Sequence, residues 1–354
     1  MVRRVGARVP KRLASRAIRL LDELKLRDLN LKICRDNTHV YIPLRDGISS
    51  EELGSVVDAL ENAQLVSYDF PELKRRGDIL DFLSDRLPPH LLASLPRSFD
   101  IIGDVAVVEV PPELEPYKSL IGEAIMRVHR RVRLVLAKAG AVSGVYRVRR
   151  LEPIAGSGGT ETVHREYGCV YHLDVAKVYF SPRLAYEHRR VAGLVAEGET
   201  VVDMFAGVGP FAIQIAKSHK AVRVYAIDIN PDAIHYLRMN VAENKVEDKV
   251  VVILGDARDV IRERLAGVAD RAIMNLPEKA LEYVDAACTA IRPEGGIIHY
   301  YEFAEAPSPL ASAEKRLRRA VEEAGRRVVR VLAKRLVREV APYKWQVVVD
   351  AEIH

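Results

Sequence analysis

Val201–Ala212 reads VVDMFAGVGPFA, and the fold follows from how that stretch is read. Two β-branched residues run into an acid, Asp203. A tight glycine turn, Gly207-Val208-Gly209, follows, and FAIQIAK then shows helical spacing. A strand, a loop open to close approach of a ligand and a helix N-terminus aimed at that ligand together make a nucleotide-type binding turn. The next segments sharpen it: VRVYAIDIN closes on Asp228, VVILGDAR contains Asp256, and RAIMNLP ends in Asn275-Leu276-Pro277. Four strands thus end in polar residues at 203, 228, 256 and 275, on the one edge of an open α/β sheet where ligands bind.

The bulk composition sets limits on the rest. The chain has 354 residues, is 49% hydrophobic and 29% charged, and is long enough for two or three globular domains. Its apolar runs are far too short to span a membrane. Seven Lys/Arg and no acid fall in the first 20 residues, but no apolar core follows them, so no signal peptide is expected. Cys34, Cys169 and Cys288 have no CxxC spacing, which argues against a disulfide framework or a zinc site and suits a reducing cytoplasm. No metal is expected. The formal charge of +5 is modest, yet residues 127–150 hold eight Lys/Arg and no acid. Two acid-free basic blocks suggest a polyanionic partner, against the plainer reading of two solvated faces.

Three regions are expected. Residues 1–75 read as a small α+β unit, with a helix in KRLASRAIRLLDELKL, a strand in THVYIPL and a second helix from SSEELGSVVDALENA. Residues 76–170 begin with helical pieces broken by prolines. They continue with FDIIGDVAVVEVP as strand and glycine turn, LIGEAIMRVHRRVRLVLAKAG as one basic helix closed by Gly140, and REYGCVYHLDV as a hairpin. Residues 171–354 alternate strand and helix. Their last two strands, RRVVRVLAKRLVREV and YKWQVVVDAEI, are joined by only Ala341-Pro342, which forces an antiparallel pair. A mostly parallel α/β sheet ending in an antiparallel hairpin is the class I methyltransferase arrangement, preceded here by two smaller α+β domains.

The glycine turn alone accepts either NAD or S-adenosyl-L-methionine, because GVGPFA satisfies a relaxed G-x-G-x-x-A. Asp203 before the turn can receive the methionine ammonium or orient the loop. Pro210 removes an N–H that a pyrophosphate would use. Both points, with the hairpin, favour S-adenosyl-L-methionine. Asp228 lies 21 residues after Gly207, where a carboxylate takes two ribose hydroxyls of either ligand. Asp256 suits the adenine amino group or a plain helix cap.

Upstream, DVAKVYFSPRLAYEHRRVA (174–192) holds Tyr179, Arg183 and Glu187. Arg183 and Glu187 are four apart and share a face if Pro182 starts a helix, which fits either a surface ion pair or a functional pair. In order along the chain, VYFSPRLAYEHRRVA, VVDMFAGVGPFAI, YAIDINPDAI and IMNLP resemble the archaeal and eukaryotic type of tRNA (guanine-37-N1)-methyltransferase, most strongly over residues 140–305. The resemblance implies Glu187 as general base, Asn275 as the residue that positions the guanine, and Tyr179 as the aromatic near it. Arg147 or Arg149 would then stand against the guanine oxygen, the spacing favouring Arg147. The cofactor would be held by Arg183, Asp203, Phe205, Gly207, Gly209, Asp228, Ile229, Asp256, Ala257 and Asn275. The implied partner is tRNA, through its anticodon loop and outer corner, with the enzyme a monomer. A relative that also methylates a wyosine precursor at position 37 stays open beside this reading, and so, more remotely, does a dinucleotide-dependent oxidoreductase.

The chemistry fits those roles. Guanine N1 carries a proton and is a poor nucleophile until a base removes it. A carboxylate doing so should be partly desolvated. The charge then gathers on O6, where a guanidinium stabilises it. N1 lies on the Watson–Crick edge, so the base must be unpaired and turned into a pocket.

Overall fold

A computed structural model describes residues 1–49, 52, 54, 60, 63–72, 78–96, 98–140 and 150–354. The chain divides into two compact units, Met1–Asp81 and Phe82–His354. In the first, β1 (Val2–Pro10), β2 (Cys34–Arg35), β3 (His39–Pro43) and β4 (Gln64–Phe70) form an antiparallel sheet in the order β2-β3-β1-β4. Helix α1 (Ala14–Glu23) sets Ala17 and Leu21, one turn apart, into the same core as Ala7, Val9 and Ile42. The α1 helix and the THVYIPL strand fall where the spacing puts them. The strand β1 was hidden among arginines, because it buries only small residues. At Gly6 a β-carbon would stand 2.5 Å from the Phe70 ring. The expected second helix lies almost wholly outside the described residues.

The second unit opens with β5 (Asp100–Ile102) and β6 (Val105–Val108), joined by a turn with Gly103 at φ +59°. Helix α2 (Lys118–Val128) crosses to β7 (Leu134–Lys138), which is parallel to β6 and antiparallel to β8 (Leu151–Gly156). The basic helix expected over residues 120–140 is therefore not one element. His129 leaves helical geometry at φ −107°, ψ 77°, and Leu134–Ala137 are all buried. A central strand covered on both faces reads as a continuous apolar run, which short windows confuse with a buried helix. Arg130 and Arg131 sit on the exposed turn between helix and strand. Next, β9 (Glu161–Glu166) and β10 (Cys169–Asp174) form the expected hairpin, turning on Tyr167 and Gly168 at φ +44° and +79°.

After helix α3 (Ala185–Ala192) comes the main sheet. Its strands are β11 (Thr200–Asp203), β12 (Arg223–Asp228), β13 (Val250–Leu254), β14 (Arg271–Met274), β15 (Gly296–Glu305), β16 (Val328–Ala341) and β17 (Lys344–Ile353). They lie in the order β13-β12-β11-β14-β15-β17-β16. All are parallel through β15; β17 is antiparallel to β15, and β16 to β17. Helices α4 (Pro210–Ser218), α5 (Pro231–Glu243), α6 (Val284–Ala290) and α7 (Pro309–Glu323) cover it. Two separate apolar cores result: Val201 and Val348 belong to one, Val202, Val347 and Val349 to the other, as the pleat of a strand buried on both faces requires.

Candidate active site

The order of β11, β12 and β14 reverses direction at β11, and a crevice opens at such a switch point beyond the strands' carboxyl ends. A cavity lies there. Phe205, Gly207, Asp228, Ile229, Asp256, Ala257, Asn275 and Tyr179 line it, with Tyr283, Phe303 and Gln346. Gly207, at φ +55°, turns its N–H onto Asp228 Oδ2 at 2.7 Å, while Asn230 N–H donates to Oδ1 at 2.9 Å. Burial pushes the Asp228 carboxyl above its ordinary value, and those backbone N–H groups offset part of the rise. Each oxygen keeps a lone pair, so the pair of oxygens still suits a diol. Asp256 caps the turn that follows it, accepting Arg258 N–H at 2.8 Å, and also lines the cavity, with the Tyr283 hydroxyl 3.4 Å away.

Other members of the expected set stand elsewhere. Asp203 is fully buried and outside the lining. Neither of its oxygens has a hydrogen-bond partner of good geometry. Burial raises its pKa to about 7; the backbone N–H groups of Phe205 and Ala212 oppose the rise and neighbouring Asp228 adds to it. Gly209 is the left-handed N-cap of α4, where a β-carbon would stand 2.3 Å from Leu237; its role is packing under the turn. Arg183 pairs with Asp100 at 2.7 Å, not with Glu187. Arg147 and Arg149 lie outside the described residues.

Glu187 lies on α3 and is 3% exposed. Its Oε2 accepts from Arg190 Nε and from the Tyr301 hydroxyl, each at 2.9 Å; Oε1 takes no hydrogen bond from the described residues. Glu187 is not among the residues that line the cavity; its partner Tyr301 is two residues along β15 from Phe303, which does line it. Arg190 continues to Asp350 at 2.5 Å, and Asp350 to His299 at 2.6 Å. Arg271 donates to His299 Nε2 at 2.9 Å and holds Glu199 with two bonds of 3.0 Å. An arginine can only donate, so His299 accepts at Nε2 and gives its Nδ1–H to Asp350. Burial lowers the His299 pKa, in keeping with a ring that accepts at Nε2.

Tyr179 is half-exposed and borders both the main cavity and a second one lined by Asp100, Lys138, Ser181 and Arg338. Phe303, Gln346 and Tyr283 escaped sequence reading. The first two arrive through the pairing of β15 with β17, which no local motif signals.

Known proteins add an independent finding. Residues 162–330 match the TRM5/TYW2 methyltransferase domain, residues 79–160 the TYW2 N-terminal domain, and residues 6–52 the tRNA methyltransferase 5 N-terminal domain. A tRNA (guanine(37)-N(1))-methyltransferase Trm5b of Pyrococcus abyssi is 42% identical over 349 residues, 99% of each chain. The chain belongs to the archaeal and eukaryotic type of tRNA (guanine-37-N1)-methyltransferase. The crystal structure of the P. abyssi Trm5b superposes with a TM-score of 0.73 at 40% identity, covering 99% of each chain. A complex of aTrm5 with tRNA-Leu superposes at 0.68 and 32% identity, covering 99% of this chain and 100% of that one. As in this family, the methyl donor is S-adenosyl-L-methionine, and the cavity fits it: a half-buried acid at the end of β12 for the ribose, and Phe205, Ile229 and Ala257 for a flat ring. Among the described residues no helix is long and apolar enough to cross a membrane, and no cluster of side chains could hold a metal ion.

Proposed function

We propose that the chain methylates N1 of guanine 37 in tRNA. The observation that carries this is full-length likeness to enzymes of that name, in a chain whose cavity joins Asp228, Asn275 and Tyr179. The bound donor supplies a methyl group on a sulfonium. Gly207, Asp228 and Asp256 hold it, with Arg183 and Asp203 supporting the site from outside the cavity. Asn275 and Tyr179 orient the extruded base, and Arg147 or Arg149 steadies the guanine oxygen. Glu187, which lies outside the cavity lining, takes the N1 proton after its side chain turns toward the base. Two features support that role: a desolvated carboxylate, and one oxygen already fixed by Arg190 and Tyr301.

The basic residues of 76–170 hold the anticodon stem, and residues 1–75 touch the outer corner of the tRNA. The enzyme acts as a monomer, and in the cytoplasm, a reducing compartment that suits three unpaired cysteines. Methyl transfer from labelled S-adenosyl-L-methionine to transcripts differing only in guanine or adenine at position 37 tests the whole reading. Label on the guanine transcript alone, recovered as 1-methylguanosine, is expected. With Glu187→Gln the rate should fall at least about 10²-fold. Equal label on both transcripts would remove position 37 from the proposal.

A further inference from the structure

The register of the C-terminal hairpin places three side chains in one row across the sheet: Phe303 of β15 opposite Gln346 of β17, and Gln346 opposite Arg338 of β16. Gln346 is 1% exposed. Arg338 Nε donates to Gln346 Oε1 at 2.9 Å, and Gln346 Nε2 donates to Asn275 Oδ1 at 3.1 Å. The same guanidinium donates to Ser181 Oγ at 2.9 Å and to the Tyr179 hydroxyl at 3.1 Å.

The direction of this chain of bonds is fixed by elimination. A guanidinium has no acceptor, so Gln346 must meet it with oxygen. The Gln346 nitrogen is then left for Asn275, which must accept with Oδ1. The Asn275 Nδ2 hydrogens, which take no partner among the described residues, remain for the cavity that Asn275 lines.

We infer that Arg338 and Gln346 are positioning residues that fix which end of the Asn275 amide meets the substrate. They present a hydrogen-bond donor to the carbonyl oxygen of the target guanine, where negative charge gathers when N1 loses its proton. Adenine offers an amino group in place of that carbonyl, so the fixed amide also selects the base. Arg338 ties Tyr179 to the same frame, so the aromatic wall and the amide are set by one side chain. The inference rests on Asn275 contacting the base.

Gln346→Glu tests it. A glutamate still accepts from Arg338 but cannot donate to Asn275, whose amide must turn round and offer oxygen to the guanine. Single-turnover methyl transfer to the guanine-37 transcript should fall roughly 10²-fold. Calorimetric binding of S-adenosyl-L-methionine and the melting temperature should stay at wild-type values. Gln346→Met, which gives no direction to the amide, should lose less. A wild-type rate in a folded Gln346→Glu protein, or donor affinity falling in step with the rate, would overturn the inference. Should Gln346→Glu fail to fold, Arg338→Met serves in its place: it frees both Gln346 and Tyr179, and an undiminished rate there counts equally against the strut. Asn275→Ala, measured beside them, separates the two levels. A full rate in Asn275→Ala refutes the underlying contact, whereas its loss beside an active Gln346→Glu refutes the strut alone.

Discussion

Both carboxylate oxygens of Asp203 are buried without a well-formed hydrogen bond, and burial raises the pKa from 3.8 to about 7. The unfolded chain loses this proton near pH 4 and the folded chain near pH 7. Between those values the folded state binds more protons, so this group's contribution is full below about pH 4 and is lost as pH rises through 7. Asp203→Asn removes the dependence. Relative to wild type the variant should gain stability between pH 5 and pH 8, on the order of 3 kcal/mol at most. Urea unfolding at both pH values measures it, and parallel curves for the two proteins would refute the raised pKa. The residues of the ligand turn were legible because they sit beside one another in sequence: the glycines, the strand-end acids and Asn275 each follow a recognisable apolar run. Asp203 shows what such reading leaves open. Its place before the turn allows either contact with the donor ammonium or a part in orienting the loop, and its full burial outside the cavity lining favours the second.

The hairpin of β16 and β17 was also legible as an element, from two long alternating runs and a two-residue joint. What it does for the site was not, since that depends on which residues stand opposite. On β17 the pleat sends Gln346, Val348 and Asp350 to one face, opposite Phe303, Tyr301 and His299 of β15. Burial raises the Asp350 carboxyl, but His299 and Arg190 outweigh it and hold the pKa near 2. Removing one member of a buried ionic chain strands the others. Asp350→Ala should therefore destabilise the fold by roughly 3–5 kcal/mol. Because Arg190 loses its anchor, it should also slow methyl transfer. Denaturant melts and single-turnover rates check both, and a melt unchanged from wild type would show that the chain of charges is not structural. The stability given by Asp350 is present above about pH 4 and should disappear as pH falls toward 2. The misread basic helix belongs to this scale as well. Its apolar half is a strand only because β6 and β8 flank it, a fact of pairing that spacing does not carry.

For the molecule as a whole, the exposed arginines around residues 127–131 make an electrostatic argument. Arg127 lies over the Phe82 ring, while Arg130 and Arg131 are exposed. If they meet phosphates, the logarithm of tRNA affinity should fall linearly with the logarithm of salt, by about 0.7–0.9 per phosphate neutralised. Substituting Gln at Arg130 and Arg131 together should lower that slope by up to about 2 without changing donor affinity. A slope unaltered in the double variant would place the tRNA contact elsewhere.

The bonds that assemble the proposed reaction centre span long stretches of chain: 71 residues from Asn275 to Gln346, 114 from Glu187 to Tyr301, 159 from Tyr179 to Arg338 and 160 from Arg190 to Asp350. The donor cavity, by contrast, draws most of its wall from residues 204–283. Contacts between distant segments form late, because loop closure must precede their reward. During refolding the chain should thus recover donor binding before it recovers methyl transfer. Its one tryptophan, Trp345, stands next to Gln346 on the strand that completes the site. Its fluorescence in a stopped-flow refolding experiment reports the docking of that strand, and activity should return on the same time course rather than on that of donor binding.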